Sequence, residues 1–432
     1  MPTVGVGPAE HRDRYVTTPA TAADISSHLI PECIARPGDD PIFALNAIAV
    51  RRARAGEDIL NATLGALMED DGRLAVLPSV HEALSAVPPE RAAAYAPIAG
   101  EPPYLEAVIR DLYGDSELAA QSVAAATPGG TGAVHHAIVN FLDQGEALLV
   151  PDYHWGPYGI VANHTRRRTE TFQMFDDDCH FHRAAFAEAV DAQSKRQARL
   201  LVVMNTPCNN PTGYTFDDAD WEAVSTALRA AAERVPVALL IDLAYARFGA
   251  QGSFRWQDHV AGMAGEVLPL VAWTASKTFT QYGARVGALV ASCPDEAERS
   301  RVANALSYSC RGTWSNCNHH GMLAVTQLLS DPALKKRSDE ERDRLRALLD
   351  ERVAAFNELA QPAGLRYPRY EGGFFVTVFT PDAKVTTEKM QERGVFVVPF
   401  HGGVRVALCS TPVAQVPRLV EALVEGVAAA QG

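Results

Sequence analysis

Short apolar runs alternate with amphipathic stretches along the middle of the chain, from about residue 76 to residue 330. Almost every position within a run is apolar, which is typical of strands that are buried on both faces of a parallel sheet. Helices formed by the amphipathic stretches would cover those two faces. The pattern therefore predicts an α/β domain, with strands in the runs at 147–151, 199–207, 235–242, 267–273 and 286–292.

The C-terminal part of the chain has a different pattern. Apolar residues recur at helical spacing between about 338 and 360, which predicts a long amphipathic helix. Two strand-like segments and a second amphipathic helix follow it. We therefore expect a smaller α+β domain made of both chain ends, residues 46–75 and 335–432. A large domain of residues 76–334 and an N-terminal arm of residues 1–45 complete the predicted organisation.

Composition and charge narrow the classes of partner. The 432 residues carry a formal net charge of −13, which argues against a basic surface for nucleic acid or for an anionic membrane. No apolar run reaches the roughly 18 residues of a membrane span. "CHFH" at 179–182 has no second pair of ligands at the spacing of a zinc finger, so we expect no metal site.

The seven cysteines are odd in number and scattered, without a C-x-x-C pair. This distribution suits free thiols in a reducing compartment. The first residues, "MPTVGVGPAEHRDRYV", lack the apolar segment of a signal peptide. We therefore expect a cytoplasmic protein.

Polar segments follow several of the apolar runs, where open α/β sheets bind their ligands. "ATPGGTGAVHHAI" at 126–138 places a glycine-rich turn before a helix. Taken alone it is more commonly just a turn, and the alternative is that its free amides bind an anion such as a phosphate. "NTPCNNPTG" at 205–213 fits either turn chemistry or ligand-binding amides. "IDLAYARFG" at 241–249 ends an apolar strand with Asp242, a carboxylate that needs a cationic partner. An arginine or a protonated ring nitrogen would serve.

The segment "WTASKTFTQYGARVG" at 273–287 places Lys277 just after an apolar strand. Burial of an ammonium is costly and lowers its pKa, so the lysine is either a surface residue or an amine kept for a carbonyl cofactor. No single segment decides. Together and in this order they suit pyridoxal phosphate, which needs an amine, a carboxylate at its ring nitrogen and a cradle for its phosphate.

The chain resembles the fold-type I, class I pyridoxal-phosphate aminotransferases, in the pattern of the aspartate and aromatic-amino-acid branch. The likeness extends from about residue 58 to residue 425. It implies a large domain with a mostly parallel seven-stranded sheet, a smaller α+β domain, and a homodimer with shared active sites. The motifs that carry it are "AYAPIAG" at 94–100, "TPGGTGA" at 127–133, "NNPTG" at 209–213, "DLAY" at 242–245, "SKTFTQYGARVG" at 276–287 and "RVALCS" at 405–410.

The resemblance assigns roles to individual residues. Lys277 would form the Schiff base with the cofactor and transfer the substrate proton, and Asp242 would keep the ring nitrogen protonated. Asn210 and Tyr245 would bind the ring oxygen. The other cofactor contacts that it implies are ring stacking by Trp155 and phosphate binding by Gly130, Thr131, Thr274, Arg285 and, from the neighbouring subunit, Tyr95.

The same resemblance predicts the substrate contacts. Arg405 would bind the α-carboxylate through two parallel hydrogen bonds, a geometry that lysine does not offer. "RGTWSN" at 311–316 resembles the segment that supplies a second arginine across the dimer interface for a side-chain carboxylate. Arg311 in an ordinary loop ion pair is the alternative. The other predicted residues of the substrate pocket are Leu64, Gly65, Trp155, Asn210 and Phe374.

Three positions depart from the family pattern near the predicted site. Tyr153 stands where relatives carry a proline. Tyr158 and Asn205 stand where the family has histidines, and the first of those histidines normally orients the aspartate. The group that orients Asp242 is therefore left open. The Asn210–Pro211 bond is a candidate cis peptide by the same resemblance.

These assignments predict a pyridoxal-phosphate-dependent transaminase. It would move the amino group of an aromatic or acidic L-amino acid to a 2-oxo acid such as 2-oxoglutarate by a ping-pong mechanism. Another reaction of the same cofactor, catalysed by a lyase, a decarboxylase or an enzyme that forms carbon–carbon bonds, stays open. A regulator that binds pyridoxal phosphate is a remoter alternative, because the first 60 residues show no basic helix-turn-helix.

Overall fold

The computed structural model describes residues 27–34, 36–38, 41–250, 252 and 256–432. Two compact units divide the chain, Met1–Ala44 and Leu45–Gly432. In the first unit the described residues include a short helix at Pro31–Ile34. Most of the predicted N-terminal arm, residues 1–26, lies outside the described residues.

The described strands lie between residues 60 and 407. They are β1 (Leu60–Asn61), β2 (Ser122–Thr127), β3 (Ala147–Pro151), β4 (Arg168–Phe172), β5 (Leu200–Met204), β6 (Val237–Asp242), β7 (Leu268–Thr274), β8 (Gly287–Ser292), β9 (Phe375–Phe379), β10 (Val395–Phe396), β11 (Val398–Phe400) and β12 (Gly403–Ala407).

Helices connect and cover these strands. They are α1 (Pro31–Ile34), α2 (Pro41–Arg54), α3 (Pro78–Ala86), α4 (Pro89–Ala93), α5 (Pro102–Tyr113), α6 (Glu117–Ala120), α7 (Gly129–Phe141), α8 (Pro157–His164), α9 (Arg183–Ser194), α10 (Asp218–Ala232), α11 (Trp256–Met263), α12 (Ala275–Thr278), α13 (Glu296–Thr313), α14 (His319–Ser330), α15 (Pro332–Ala360), α16 (Ala383–Glu392) and α17 (Val416–Gln431). None of these described helices combines the length and the apolar character that crossing a bilayer requires.

Seven strands form the large sheet, in the order β2-β8-β7-β6-β5-β3-β4. β8 runs antiparallel to both of its neighbours, and the other pairs are parallel. The predicted α/β fold with a mostly parallel, seven-stranded sheet is confirmed. Each of the five apolar runs coincides with one of its strands to within a few residues at either end, namely β3, β5, β6, β7 and β8.

Side chains alternate between the two faces of the central strands. In β6, Leu239 and Ile241 pack into the apolar cluster on one face, whereas Ala238 and Leu240 pack on the other face with residues of α7. The period of two along a strand therefore places Asp242 on the same face as Leu240, at the carboxyl end of the strand.

The C-terminal part of the chain forms a second, smaller group of elements. β9, β11 and β12 make a three-stranded antiparallel sheet. β1 pairs in parallel with β10, so residues from both parts of the predicted small domain meet in one ladder. α15 starts at Pro332, earlier than the periodicity indicated, because Asp331 caps it by accepting a hydrogen bond from the amide of Leu334 at 2.8 Å. The division into residues 46–75 with 335–432 and residues 76–334 stays a prediction.

Candidate active site

A cavity of about 220 Å³ lies at the carboxyl ends of the parallel strands of the large sheet. This is the edge at which open α/β sheets bind ligands. The sequence segments that follow β2, β5, β6 and β7 all contribute to its wall. The predicted site residues on this wall are Gly130, Thr131, Trp155, Asn210, Asp242, Tyr245, Thr274, Lys277 and Arg285.

Lys277 lies in α12, the single helical turn that follows β7. Thr274 fixes the start of this turn, since its hydroxyl accepts a hydrogen bond from the amide of Ser276 at 3.2 Å. The Lys277 Nζ atom lies 5.3 Å from the centroid of the Tyr245 ring. Burial lowers the pKa of the Lys277 amine, Asp242 partly opposes that change, and Arg285 adds to it. A larger share of this amine is therefore neutral near pH 7 than in an exposed lysine.

Asp242 accepts a hydrogen bond on each carboxylate oxygen. The Tyr158 hydroxyl donates to Oδ2 at 2.7 Å, and the amide of Ala244 donates to Oδ1 at 3.0 Å. Burial raises the pKa of Asp242, whereas these two hydrogen bonds and the charge of Lys277 lower it. The group that the sequence left open is thus a phenol, and the carboxylate it holds also borders the cavity.

A chain of amide contacts connects Asp242 with Tyr245. Asn205 donates from Nδ2 to the backbone carbonyl of Asp242 at 2.8 Å and accepts from the amide of Asn210 at 2.6 Å. Asn210 donates in turn to the hydroxyl oxygen of Tyr245 at 3.2 Å. Asn205 therefore orients the turn that carries Asn210. The prediction of a cis peptide at Asn210–Pro211 was wrong, since the cis bond in the described chain joins Thr206 and Pro207.

A positively charged cradle lies where α7 begins. Arg285 donates to the carbonyl of Pro128 at 3.1 Å and to the hydroxyl of Ser276 at 3.3 Å. Gly129 has φ +72, and a Cβ there would lie 2.5 Å from the guanidinium of Arg285. The free amides of a helix N-terminus beside an arginine make a site for an anionic group such as a phosphate.

Ser276 belongs to this cradle and was missed in the sequence analysis. Its hydroxyl borders the cavity and lies between Thr274, at 3.0 Å, and Arg285. The signal was available, because Ser276 is the residue directly before Lys277 and shares the capped turn with Thr274.

Arg405 lies on β12 and is buried beside the cavity. It donates to the carbonyl of Thr63 at 2.7 Å and to the side-chain oxygen of Asn210 at 3.4 Å. Its guanidinium carbon lies 4.4 Å from the centroid of the Phe375 ring. A Cβ at Gly65 would come within 2.5 Å of the same ring, so glycine lets that ring approach. Gly65 and Arg405 are not among the residues that border the cavity, and Arg405 is linked to its wall through Asn210.

Phe374 and Leu64 do not border the cavity of about 220 Å³. Phe374 packs against the rings of Tyr245 and Phe248, with centroid distances of 5.3 and 5.1 Å. Its neighbour Phe375, the first residue of β9, lies under Arg405. Leu64 accepts a hydrogen bond from the thiol of Cys409 at 3.5 Å through its carbonyl and lines a separate pocket.

Tyr95 and Arg311 lie away from the cavity of their own chain. Tyr95 is 90% exposed. Arg311 is exposed in the last turn of α13 and donates to the Ser315 hydroxyl at 2.8 Å. The expectation that both residues serve a neighbouring subunit stays a prediction.

The residues around the cavity fit pyridoxal phosphate. They offer an amine with a lowered pKa, a buried carboxylate, a phenol and a cradle for a phosphate, all bordering one space. Among the described residues, no three side chains of His, Cys, Asp or Glu are arranged to hold a metal ion.

Comparisons with known proteins agree with this chemistry. The family model described as aminotransferase class I and II matches residues 57–423. An aspartate aminotransferase from Pseudomonas aeruginosa is 29% identical over 377 residues, which cover 83% of this chain and 90% of that protein. An aromatic-amino-acid aminotransferase from Escherichia coli is 28% identical over 396 residues, covering 89% and 96%. The solved structure of an aminotransferase from Anaerococcus prevotii is 32% identical with a TM-score of 0.88, covering 93% and 99%.

Proposed function

The chain belongs to the class I and II aminotransferase family, and from this premise we propose that it moves the amino group of an aromatic or acidic L-amino acid to a 2-oxo acid such as 2-oxoglutarate. It is a pyridoxal-phosphate-dependent transaminase. The proposal adds the substrates, the residue roles and the ping-pong order, in which the 2-oxo acid product leaves before the acceptor binds.

One observation carries the proposal. Lys277, Asp242 and Arg285 border a single cavity. They are the three charged groups that an amino-acid reaction on pyridoxal phosphate needs. They come from the ends of β6 and β7 and from the loop before β8, so the sheet holds them at fixed separations. A lysine in an ordinary surface turn would be exposed, whereas Lys277 borders the same cavity as the buried Asp242.

The cofactor supplies the chemistry that side chains lack. When bound, pyridoxal phosphate offers an aldehyde that captures an amino group and a ring that withdraws the electrons of the broken Cα–H bond. Asp242 would hold the ring nitrogen in its protonated form. Asn210 and Tyr245 would bind the ring oxygen, and Trp155 would cover the ring face.

Lys277 would perform the proton transfers. Its Nζ atom, in the neutral form that burial favours, would accept the proton that leaves the substrate Cα and would hold it for return. The phosphate would rest on the amides of Gly130 and Thr131, with Arg285, Thr274 and Ser276 around it. This arrangement keeps the reacting atoms close to Lys277.

Arg405 would select amino acids by their α-carboxylate. Its guanidinium is oriented by the Thr63 carbonyl and by Asn210, and the Phe375 ring supports its face. A guanidinium binds a carboxylate with two parallel hydrogen bonds. The aromatic ring of Phe375 beside it supports the aromatic part of the proposed substrate range.

We further infer that the protein forms a homodimer with shared active sites. We also infer that it is located in the cytoplasm. Tyr95 and Arg311 are exposed in the single chain, which supports a role in the site of a neighbouring subunit. Arg311 would then bind the side-chain carboxylate of an acidic substrate. The seven cysteines are free thiols, which suits a reducing compartment.

The two half-reactions test the proposed function. The purified enzyme, loaded with pyridoxal phosphate and given one amino acid without an acceptor, should release one equivalent of the matching 2-oxo acid and then stop. Added 2-oxoglutarate should restart turnover. A panel of amino donors, with phenylalanine, tyrosine and aspartate against alanine and lysine, measures the substrate range.

Two variants control this measurement. Lys277→Ala should lose turnover, because the residues that line the cavity include no other lysine. Lys195→Ala removes an exposed lysine paired with Asp191 and should leave turnover unchanged. Release of CO₂ or ammonia without any 2-oxo acid in the wild-type half-reaction would refute transamination by this site.

A further inference from the structure

Tyr158 lies directly behind Asp242, in the first turn of α8. Its side chain is fully buried. The ring packs edge-on against Trp155, with 5.4 Å between centroids, and nearly parallel to His154 at 6.3 Å. One short segment therefore supplies both a wall of the cavity, through Trp155, and a hydrogen-bond donor to Asp242, through Tyr158.

The hydrogen bond from Tyr158 acts on a carboxylate that burial disfavours. Burial raises the pKa of Asp242, and the hydrogen bond from the Tyr158 hydroxyl is the strongest influence in the opposite direction, ahead of the Ala244 amide and the charge of Lys277. Without that hydroxyl the carboxyl group would bind a proton more readily. A neutral carboxylic acid does not stabilise a positive charge on a ring nitrogen.

We propose that Tyr158 is a positioning residue for amino transfer, which fixes Asp242 and keeps its carboxylate ionised toward the cofactor ring. This inference rests on the proposed function. It concerns a position at which the sequence departs from its family, and for which the sequence analysis left open the group that orients Asp242.

A phenol at position 158 also differs from an imidazole in not changing its charge near neutral pH. Burial and the neighbouring Asp242 raise the pKa of Tyr158 far above its usual range, so the phenol stays a neutral donor. The other titratable groups packed around the pair are Lys277, Tyr245 and His154. Burial lowers the pKa of Lys277 and of His154 and raises the pKa of Tyr245. The Tyr158 phenol therefore stays neutral from about pH 5 to pH 8, the range in which a histidine would titrate.

The variant Tyr158→Phe tests the proposal in the full chain. A hydrogen bond to a charged group contributes enough that its loss should weaken pyridoxal phosphate binding about 10- to 100-fold, measured by titration of the cofactor-free protein. The kcat value should fall by a similar factor, while KM for the amino donor changes by less than about 3-fold because Tyr158 does not reach the substrate. The acid limb of the kcat profile should move to higher pH, since Asp242 is then protonated more easily.

Two further variants separate positioning from mere packing. Tyr158→His restores a hydrogen-bond donor and should recover most of the cofactor affinity. The affinity should then change with pH at about 6.5, where the imidazole titrates. Tyr367→Phe removes a hydroxyl that donates a hydrogen bond to the side-chain oxygen of Asn357 at 3.0 Å, outside the cavity. It should leave cofactor affinity unchanged. The unfolding midpoint of each cofactor-free variant reports on packing alone.

The outcomes decide between the two roles. Cofactor affinity and a pH profile equal to those of the wild type in Tyr158→Phe would overturn the proposal. Equal losses in Tyr158→Phe and Tyr158→His, matched by equal drops of the unfolding midpoint, would also overturn it, because the residue would then act only through packing. Failure of the proposed function looks different, since the wild-type chain itself would form no 2-oxo acid.

Discussion

Lys277 and Asp242 border the same cavity, and burial acts on both groups toward the neutral form. It lowers the pKa of the lysine and raises the pKa of the aspartate. Each charge favours the ionised state of the other. The hydrogen bonds from Tyr158 and Ala244 then shift the balance of Asp242 toward the carboxylate. The pair thus combines an amine of lowered pKa with a carboxylate that two hydrogen bonds hold in place.

The lowered pKa of Lys277 makes a prediction for the cofactor-free protein. A group whose folded pKa lies below its unfolded pKa loses its proton at lower pH in the native chain, so its neutral amine reacts sooner as pH rises. Trace acetylation at a series of pH values can be measured by mass spectrometry of the Lys277 peptide. The midpoint should lie below the pKa of an ordinary lysine, which is about 10.4. The same peptide in denaturant is the control, and identical midpoints in the two states would contradict the prediction.

Arg285 offers a second prediction at this scale. Arg285→Lys keeps a positive charge but loses the fork that contacts Pro128 and Ser276 together. Pyridoxal phosphate should bind about 10- to 100-fold more weakly, as expected for the loss of charge-assisted hydrogen bonds. Equilibrium dialysis measures this affinity. Arg301→Lys, a change at an exposed arginine paired with Glu298, should have no effect, and equal affinity in both variants would argue against a phosphate cradle at α7.

The chemistry-bearing residues were predictable where a motif carries them, and the residues that support them were not. Lys277, Asp242 and Arg285 stand in recognisable segments, and the structure places all three around one cavity. Tyr158 lies 84 positions from Asp242 in the chain, and only the packing of α8 against the sheet joins them. Phe375 was missed in favour of Phe374, because two adjacent phenylalanines look alike in the sequence and only the structure shows which ring contacts Arg405.

At the scale of elements, the junction between β2 and α7 depends on close backbone approach. Gly129 adopts φ +72, and its neighbour Gly287 on β8 would place a Cβ 2.6 Å from the Gly129 carbonyl carbon. Both glycines let the sheet, the helix start and Arg285 meet. The anion cradle is therefore a property of how three elements pack, as well as of a motif.

Gly129→Ala tests that packing. Gly145 provides a matched control, because it also has a positive φ, +82, but has open space around its Cα. Gly145→Ala should lower the free energy of unfolding by about 1–2 kcal/mol, the cost of a left-handed conformation. Gly129→Ala should lose at least about 1 kcal/mol more through overpacking and should bind pyridoxal phosphate more weakly. Chemical denaturation measures both, and equal losses would contradict a crowded junction.

The pattern of the strands predicted the centre of the sheet better than its edges. β3, β5 and β6 are buried along their whole length, so continuous apolar runs mark them. β4 lies at one edge with the sequence "RTETF", and β2 lies at the other with three alanines. Both edge strands are only partly buried, and a criterion of continuous apolar residues overlooks them.

At the scale of the whole molecule, Arg352 ties the long helix α15 to segments from both parts of the predicted small domain. It is fully buried and donates to the carbonyls of Met68 and Cys409 at 2.8 and 2.7 Å and to the Asp70 carboxylate at 2.6 Å. Met68 follows β1, and Cys409 follows β12, whose Arg405 contacts Asn210 in the wall of the cavity. One guanidinium thus holds segments that are more than 300 residues apart in sequence.

Arg352→Met should be costly for stability. The substitution keeps a long apolar side chain but leaves buried carbonyls without their donor, which we expect to lower the free energy of unfolding by about 2–5 kcal/mol. Arg344 is the matched control, since it lies on the same helix and pairs with Glu69 at the surface. Arg344→Met should cost at most about 1 kcal/mol. Denaturant midpoints of the two variants measure the difference, and similar midpoints would contradict the role of Arg352.

The central claim is that one amine, at position 277, carries the cofactor. Its most direct test is reduction of the purified yellow protein with borohydride, followed by digestion and mass spectrometry. We predict a single pyridoxyl-modified peptide, with the added mass on Lys277, and no such peptide from Lys277→Ala. A modified lysine elsewhere in the wild-type chain, or no modified peptide after saturation with pyridoxal phosphate, would contradict the account.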